Sequence, residues 1–569
     1  MDTGDKEYKE RTTELLSNNS EEVLRLLLHY IQRSGSFAFD VIEITNHSRI
    51  CSPLTFFLSF GALDINSEIQ SRVFQCLLSW LRSGDIDISS LVTTQLFSLS
   101  FEALQSDKLL DIAVDVICEV IHETKEINEY LPAIQHIYSY LYPLRGDLIR
   151  YCKEDNEDRV RGYCRIFVEA GESYLPLVLK HTDAFRGIVE GIAECTAYHD
   201  LDIVPMTFNF WYQLALALSD PQYQDTKTKF EDVYDRIVDV ILVHLRYPDE
   251  LARWTGEERD EFRNFRHIMG DTLKDCCIVL GARTCLSKPY DILTRILGAA
   301  ESAGGVEAVL AAWQDIEAAI FSLRAMGAEV PDTESEVMPQ IMEMLGKLPD
   351  HPKIRYAATL VISRYSGWTK LHPQFIEYQL NFISVGFENE EVAAASALAL
   401  KHLCRDCSEV LQRIDVFFYN KFLSQLLVSF LNQLHPFFLN VTKTLPTQDV
   451  FEVTEAVAHV IAAIPTAELF KALQLFCLPV AQRLHEIALL RKDASDKQTK
   501  EASGMYRGLI WLKGLQILTI FVALRPFIVR TPRTNHSLLT SRHPRYSSRP
   551  TAPLRHLCKR ALARLRFAS

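Results

Sequence analysis

The sequence predicts an all-α protein, an α-solenoid of HEAT-like helical repeats wound as an ARM-like superhelix. Three observations lead there. Apolar residues recur at three- and four-residue steps in segment after segment, the mark of one-sided helices. Those segments return at spacings of roughly forty to sixty residues, which fits irregular helix pairs of ~40–47 residues carrying loop insertions. Strand signals are scarce, with no alternating Val/Thr/Tyr runs between Asn-Gly or Asp-Gly turns. A single helix pair cannot bury its own apolar face, so such pairs must stack.

The helical segments begin near "LLDIAVDVICEVI" (109), "RVRGYCRIFVEAGE" (159), "DIVPMTFNFWYQLALAL" (202), "FRNFRHIMGDTLKDCCIVLG" (262) and "AWQDIEAAIFSLRAMG" (312). In "PDHPKIRYAATLVISRYSGW" (349–368) no charge falls between Arg355 and Arg364, and Ile354, Ala358, Val361 and Tyr365 are expected to face neighbours. A shift of thirty-eight residues lays Val392 on Ile354, Ala395 on Ala357 and Leu398 on Leu360, an internal repeat. "DVFEVTEAVAHVIAAI" (449) continues the series. The expected organisation is a partial repeat with an insertion over 1–66, a repeat array over 67–412, an insertion at 413–441 and further repeats over 442–524. A basic tail without helical periodicity, disordered or the product of an altered reading frame, occupies 525–569. A right-handed superhelix of about eight to ten antiparallel helix pairs is expected between 67 and 480.

Charge divides unevenly. The 569 residues carry a formal −13, but the last 45 hold eleven Lys/Arg and no acid, leaving 49 basic against 73 acidic residues in the first 524, a formal −24. Direct nucleic-acid binding is disfavoured by so acidic a body, because phosphate contacts need clustered Lys and Arg. Basic partners are favoured, although acidity also serves to solubilise a long surface. Thirteen scattered cysteines, several on expected apolar faces (Cys76, Cys118, Cys164, Cys195, Cys477), and an N-terminus without a signal-peptide core suggest a reduced, intracellular setting. "GLQILTIFVAL" (514–524) falls short of the ~20 residues a membrane span needs, so no insertion is expected.

No nucleotide-binding, hydrolase, zincin or calcium-loop motif is present, so the chain is expected not to be an enzyme and to need no cofactor or metal. "CRDC" (404–407) has the spacing of a zinc half-site but lacks a second pair, and packing is the simpler reading. The candidate contact points are acidic: Glu154, Asp155, Glu157 and Asp158 in "KEDNEDR", and Glu257, Glu258, Asp260 and Glu261 in "TGEERDEF", with "PDTESEV" (331–337) a third cluster. Each sits where a helix should begin, and carboxylates there gain ~0.3–1 kcal/mol from the helix dipole, a sufficient structural reason for them. In "FNFWYQLALAL" (208–218), Phe208, Phe210, Trp211 and Tyr212 are expected to fill the core between repeats.

Taken in order, "YCRIFVEAGESYL" (163–175), "FNFWYQLALAL", "FRNFRHIMGDTLKDCCIVLGARTC" (262–285), "LPDHPKIRYAATLVISRYSGW" (348–368) and "HPQFIEYQLNFISVGFENEEVAAASALALKHLCRDC" (372–407) resemble the middle repeats of the transportin-SR family of importin-β-like nuclear import receptors. The likeness covers roughly 67–415, with a weaker continuation through 455–465. It implies a monomeric receptor shuttling between nucleus and cytoplasm. Such a receptor binds basic, Arg/Ser-rich cargo, passes nucleoporin Phe-Gly repeats and releases cargo to Ran-GTP. The likeness starts part-way along the family's array, so missing N-terminal repeats, weakened Ran-GTP binding and an uncovered apolar face at Val23, Leu24, Leu27, Leu28 and Ile31 are expected. The family's arginine-rich cargo helix has no counterpart in the matching part, and the basic tail does not align with it. The alternative is a HEAT-repeat scaffold outside that family.

Overall fold

The computed structural model describes residues 21–31, residues 53–407 apart from 85 and 300–304, and isolated positions between 431 and 476. All lie within the compact unit Met1–Leu512. Among the described residues every regular element is helical. Helix α1 covers 21–31. It is followed by α2 (Pro53–Arg82), α3 (Ile88–Leu91), α4 (Gln95–Ala103), α5 (Leu110–Glu123), α6 (Ile127–Glu154), α7 (Glu157–Ser173), α8 (Leu175–Lys180) and α9 (Thr182–Thr196). Next come α10 (Phe208–Leu218), α11 (Gln224–Thr228), α12 (Glu231–His244), α13 (Gly256–Leu280), α14 (Ala282–Ala299) and α15 (Gly305–Ala311). The series closes with α16 (Trp313–Met326), α17 (Met338–Leu345), α18 (Pro352–Arg364), α19 (Ser366–Leu371), α20 (Ile376–Gly386) and α21 (Glu390–Asp406).

Local signals set the helix ends. Pro352 occupies the first turn of α18, where its missing N–H costs nothing, and Asn389 caps α21 by accepting from the Glu391 N–H at 2.9 Å. Gly281 ends α13 with φ 83°, a conformation a side chain would resist.

The helices then pack on partners one repeat away. Helix α5 lies against α2 and α7, α7 also against α9, α16 against α14 and α18, and α18 against α21. The thirty-eight-residue shift is visible in the burial. Ile354 and Val392 are both fully buried, as are Ala358 and Val361; Ala357, Ala395 and Tyr365 are nearly so. Leu360 is buried but its counterpart Leu398 is only half-buried and lines a cleft. The apolar helix at 352–364 therefore leans on α16 to one side and α21 to the other.

Polar groups repeat the same period. Arg82 meets Glu119, Arg165 meets Asp115, Arg236 meets Glu190, Lys288 meets Asp239 and Ser363 meets His402, each link spanning 37 to 50 residues. Buried aromatic tips are satisfied between helices as well: Trp211 Nε1 donates to Thr196 Oγ1 at 2.9 Å and Tyr365 OH to the Leu323 carbonyl at 2.7 Å.

Three expectations are corrected. Tyr212 is 52% exposed, because α10 buries Phe208, Phe210 and Trp211 on one side and turns Tyr212 and Leu216 outward. Cys76 is exposed on α2, since the buried face there is set by Val73, Phe74, Leu77 and Leu78. On α1 the face expected to be bare is covered at Leu27 and Ile31, while Leu26 and Tyr30 are exposed instead. Helix α2 runs through the expected boundary at residues 66 and 67. The segments 413–441 and 442–524 lie largely, and 514–524, Cys477 and 525–569 wholly, outside the described residues. Among the described residues no helix is long and apolar enough to cross a membrane.

Candidate partner-binding surface

The acidic residues sit on the caps of two long helices. Asn156 caps α7 through the Arg159 N–H at 3.3 Å, and Glu157 and Asp158 occupy the first turn. Glu154 is the last residue of α6 rather than the start of a helix, and Asp155 closes α6 in the left-handed conformation at φ 55°. That strained turn is held from outside: Tyr198 OH donates to Asp155 at 2.8 Å and His199 lies 3.5 Å from the same oxygen. Arg159 turns inward to the Leu104 and Gln105 carbonyls and to Asp107. The four carboxylates of this cluster stay exposed.

At α13 the cap is reciprocal. The Glu258 N–H donates to Thr255 Oγ1 at 3.2 Å while the Thr255 N–H donates to the Glu258 carboxylate at 2.6 Å. Those bonds from Thr255 hold the Glu258 carboxyl below its usual range. Asp260 pairs with Arg263 at 2.8 Å, one turn along. Glu257 and Glu261 are exposed on the same turns, so this helix start presents carboxylates that its own cap does not use up. In the third cluster the Glu334 carboxylate caps α17, accepting from the Val337 and Met338 N–H groups. Helix α10 packs on both α7 and α13.

Nothing in this arrangement assembles a reaction centre. Among the described residues no group of three His, Cys, Asp or Glu could hold a metal ion. Cys404 and Cys407 are buried, Cys407 Sγ lies against the Ser366 carbonyl at 3.7 Å, and burial pushes the Cys407 thiol up to about 12. The same cause raises Cys118 to about 12 and Cys152 to about 11, so these thiols stay protonated at neutral pH.

One polar feature was missed in the sequence. A 620 Å³ cleft lies between the C-terminal ends of α16, α18 and α21, with Arg324, Arg364, Arg405 and His402 on its walls beside Asp332 and Asp406. The signal was available: the arginines of "SLRAMG", "ISRYSG" and "LCRDC" stand forty and forty-one residues apart, in phase with the repeat.

Residues 155–244 match the family described as Transportin-3/Importin-13 second TPR domain, residues 335–417 the corresponding third TPR domain, and residues 2–117 the Exportin 1-like protein family. An uncharacterized protein of Schizosaccharomyces pombe, C11G11.07, is 34% identical over 83% of this chain and 46% of its own length. The mRNA transport regulator MTR10 of Saccharomyces cerevisiae is 32% identical over 81% of this chain and 44% of its own. The chain thus spans about half the length of these curated relatives. A solved structure of importin-13 in its cytosolic state superposes with a TM-score of 0.70 at 17% identity, over 91% of this chain and 59% of that one, a likeness of fold.

Proposed function

The chain belongs to the importin-β-like karyopherin family, and from that premise we propose that it is a nuclear import receptor, or a truncated form of one, that works by reversible binding and not as an enzyme. Its cargo is basic and Arg/Ser-rich, its passage depends on nucleoporin Phe-Gly repeats, and cargo release is driven by Ran-GTP. It shuttles between cytoplasm and nucleus as a monomer. The observation that carries this reading is the pair of transportin-3/importin-13 domain matches at 155–244 and 335–417. The name of the yeast relative, an mRNA transport regulator, points the same way.

Electrostatics supports the cargo class. The first 524 residues carry a formal −24, and exposed carboxylates stand at the starts of α7 and α13. Glu154, Asp155, Glu157 and Asp158 form one contact patch of the proposed cargo surface, and Glu257, Glu258, Asp260 and Glu261 another. Complementary charge of this kind raises encounter rates and suppresses acidic competitors. The experiment is an exchange pulldown: immobilised chain is loaded with an Arg/Ser-repeat peptide and challenged with Ran bound to a non-hydrolysable GTP analogue. Release by Ran-GTP and not by Ran-GDP supports the reading; a peptide that never binds, or binds and ignores both, contradicts it.

A further inference from the structure

Three successive repeats end a packed helix in arginine. Arg324 lies two residues before the end of α16, Arg364 is the last residue of α18 and Arg405 the last but one of α21. Because α18 packs against both α16 and α21, the three side chains gather along one 620 Å³ cleft. An arginine at a helix C-terminus is ordinary by itself, since the dipole favours a cation there. What is not ordinary is how few carboxylates answer them. Arg405 is closed by its neighbour Asp406, at 2.7 Å from Nε and 3.0 Å from Nη2. Asp406 is shared further with the Ser366 hydroxyl at 2.6 Å. Neither Arg324 nor Arg364 has an ion pair among the described residues, although Arg324 is only half-exposed. Arg364 is aimed by packing: it lies over Gly327, where a Cβ would come within 2.5 Å of its Cγ. With Asp332 and Asp406 also on its walls the cleft keeps a net positive charge, carried by Arg324 and Arg364, on a chain whose first 524 residues are strongly acidic.

We propose that this arginine ladder binds an extended acidic segment of a partner protein, which runs across the repeats and places Asp or Glu side chains on Arg324 and Arg364. Packed helices lie about 8–10 Å apart, and a polyproline II chain advances about 3.1 Å per residue with three residues per turn, so acids at every third position share one face and keep step with the ladder. The guanidinium fork suits a carboxylate in two-point contact. The walls between rungs, Leu360 and Leu398, are apolar and suit the intervening backbone and small side chains. A single free oxyanion would occupy a small part of 620 Å³, a volume in the usual range for larger ligands of about 300–1,000 Å³. The site needs neither Ran nor a basic cargo, so it stands or falls apart from the import reading.

The test titrates the full chain with a fluorescent peptide of Glu-Gly-Ser repeats, with its Lys-Gly-Ser counterpart and with inorganic phosphate. Non-specific attraction to this acidic protein would favour the lysine peptide, so binding of the glutamate peptide isolates the cleft. Arg364→Gln and Arg324→Gln are each expected to weaken it about tenfold, the usual scale for a lost charge-assisted bond. Arg72→Gln, at an exposed position of α2, is expected to leave it unchanged, and the lysine peptide is expected to keep its affinity in all three. Arg364 is exposed, so its substitution tests the ladder even if Arg324→Gln impairs folding. Failure of the glutamate peptide to bind, equal binding by Arg364→Gln, parallel loss of the lysine peptide, or competition by phosphate without peptide binding would each overturn the proposal.

Discussion

Removing the carboxylate at Glu317 is expected to unlock the junction between α13 and α16. Arg266 Nη2 donates to Glu317 at 2.6 Å, and the two side chains are 2% and 8% exposed. The guanidinium is clamped between aromatic faces, 4.2 Å from the Tyr247 ring centre and 4.1 Å from that of Phe321. Burial pushes the Glu317 carboxyl up, against the pull of Arg266, so the pair is balanced rather than strongly stabilising. Glu317→Gln leaves a buried cation with no anion, and the expected cost is about 3–5 kcal/mol. Replacing both partners together, Arg266→Met with Glu317→Leu, is expected to cost far less or even to stabilise, because no charge is left stranded. Urea melts give the midpoints, and hydrogen exchange across 256–280 and 313–326 locates the loss, since repeats communicate chiefly with neighbours. A single substitution costing under about 1 kcal/mol, or a double variant as damaged as the single, would refute the reasoning.

Asp275 supplies a pH dependence. Burial first, then Asp271 and Glu329, raises its carboxyl from 3.8 to about 7, with Lys274 opposing. The folded state therefore binds a proton the unfolded chain has lost, and that stabilisation, complete below pH 3.8, disappears as pH rises to 7. Asp275→Asn is expected to flatten the stability profile over that window and add about 1–3 kcal/mol at pH 7.5, read from melts at both ends. A methyl at Gly191 would stand 2.5 Å from the buried Phe167 ring, so Gly191→Ala is expected to cost about 1–3 kcal/mol and lower the melting midpoint. Reversing Glu257, Asp260 and Glu261 to lysine while keeping the Glu258 cap is expected to weaken binding of an Arg-rich peptide about tenfold at low salt, and less at high salt, by fluorescence anisotropy.

The fold was legible where burial and period coincide. Ile354 and Val392 share a register because a stacked helix must repeat its apolar face, and that repetition is written directly into the sequence. Tyr212 and Cys76 were misplaced for the converse reason. In 208–218 the outward side is marked only by Asn209 and Gln213, one turn apart, and Tyr212 beside them follows that side rather than its own apolar character, while a cysteine is small enough to sit on either face. The helix starts at Glu157 and Glu257 could be read from their capping residues, whereas Glu154 and Asp155 belong to the end of the preceding helix, a boundary that propensity leaves loose. The arginine ladder is not legible in the apolar repeat. Arg324, Arg364 and Arg405 become neighbours only when α16, α18 and α21 stack, and until then each is an unremarkable helix C-terminal cation.

The most direct test of the central claim is import itself. Permeabilised cells depleted of cytosol are given this chain, Ran, an energy supply and a fluorescent Arg/Ser-repeat cargo, and nuclear fluorescence is followed with and without Ran locked in its GTP form. An import receptor accumulates cargo in the nucleus only when the chain is present, and Ran-GTP added to the cytoplasmic side abolishes the accumulation by stripping cargo beforehand. Cargo that stays outside, or enters equally without the chain or with Ran-GTP present, would contradict the account.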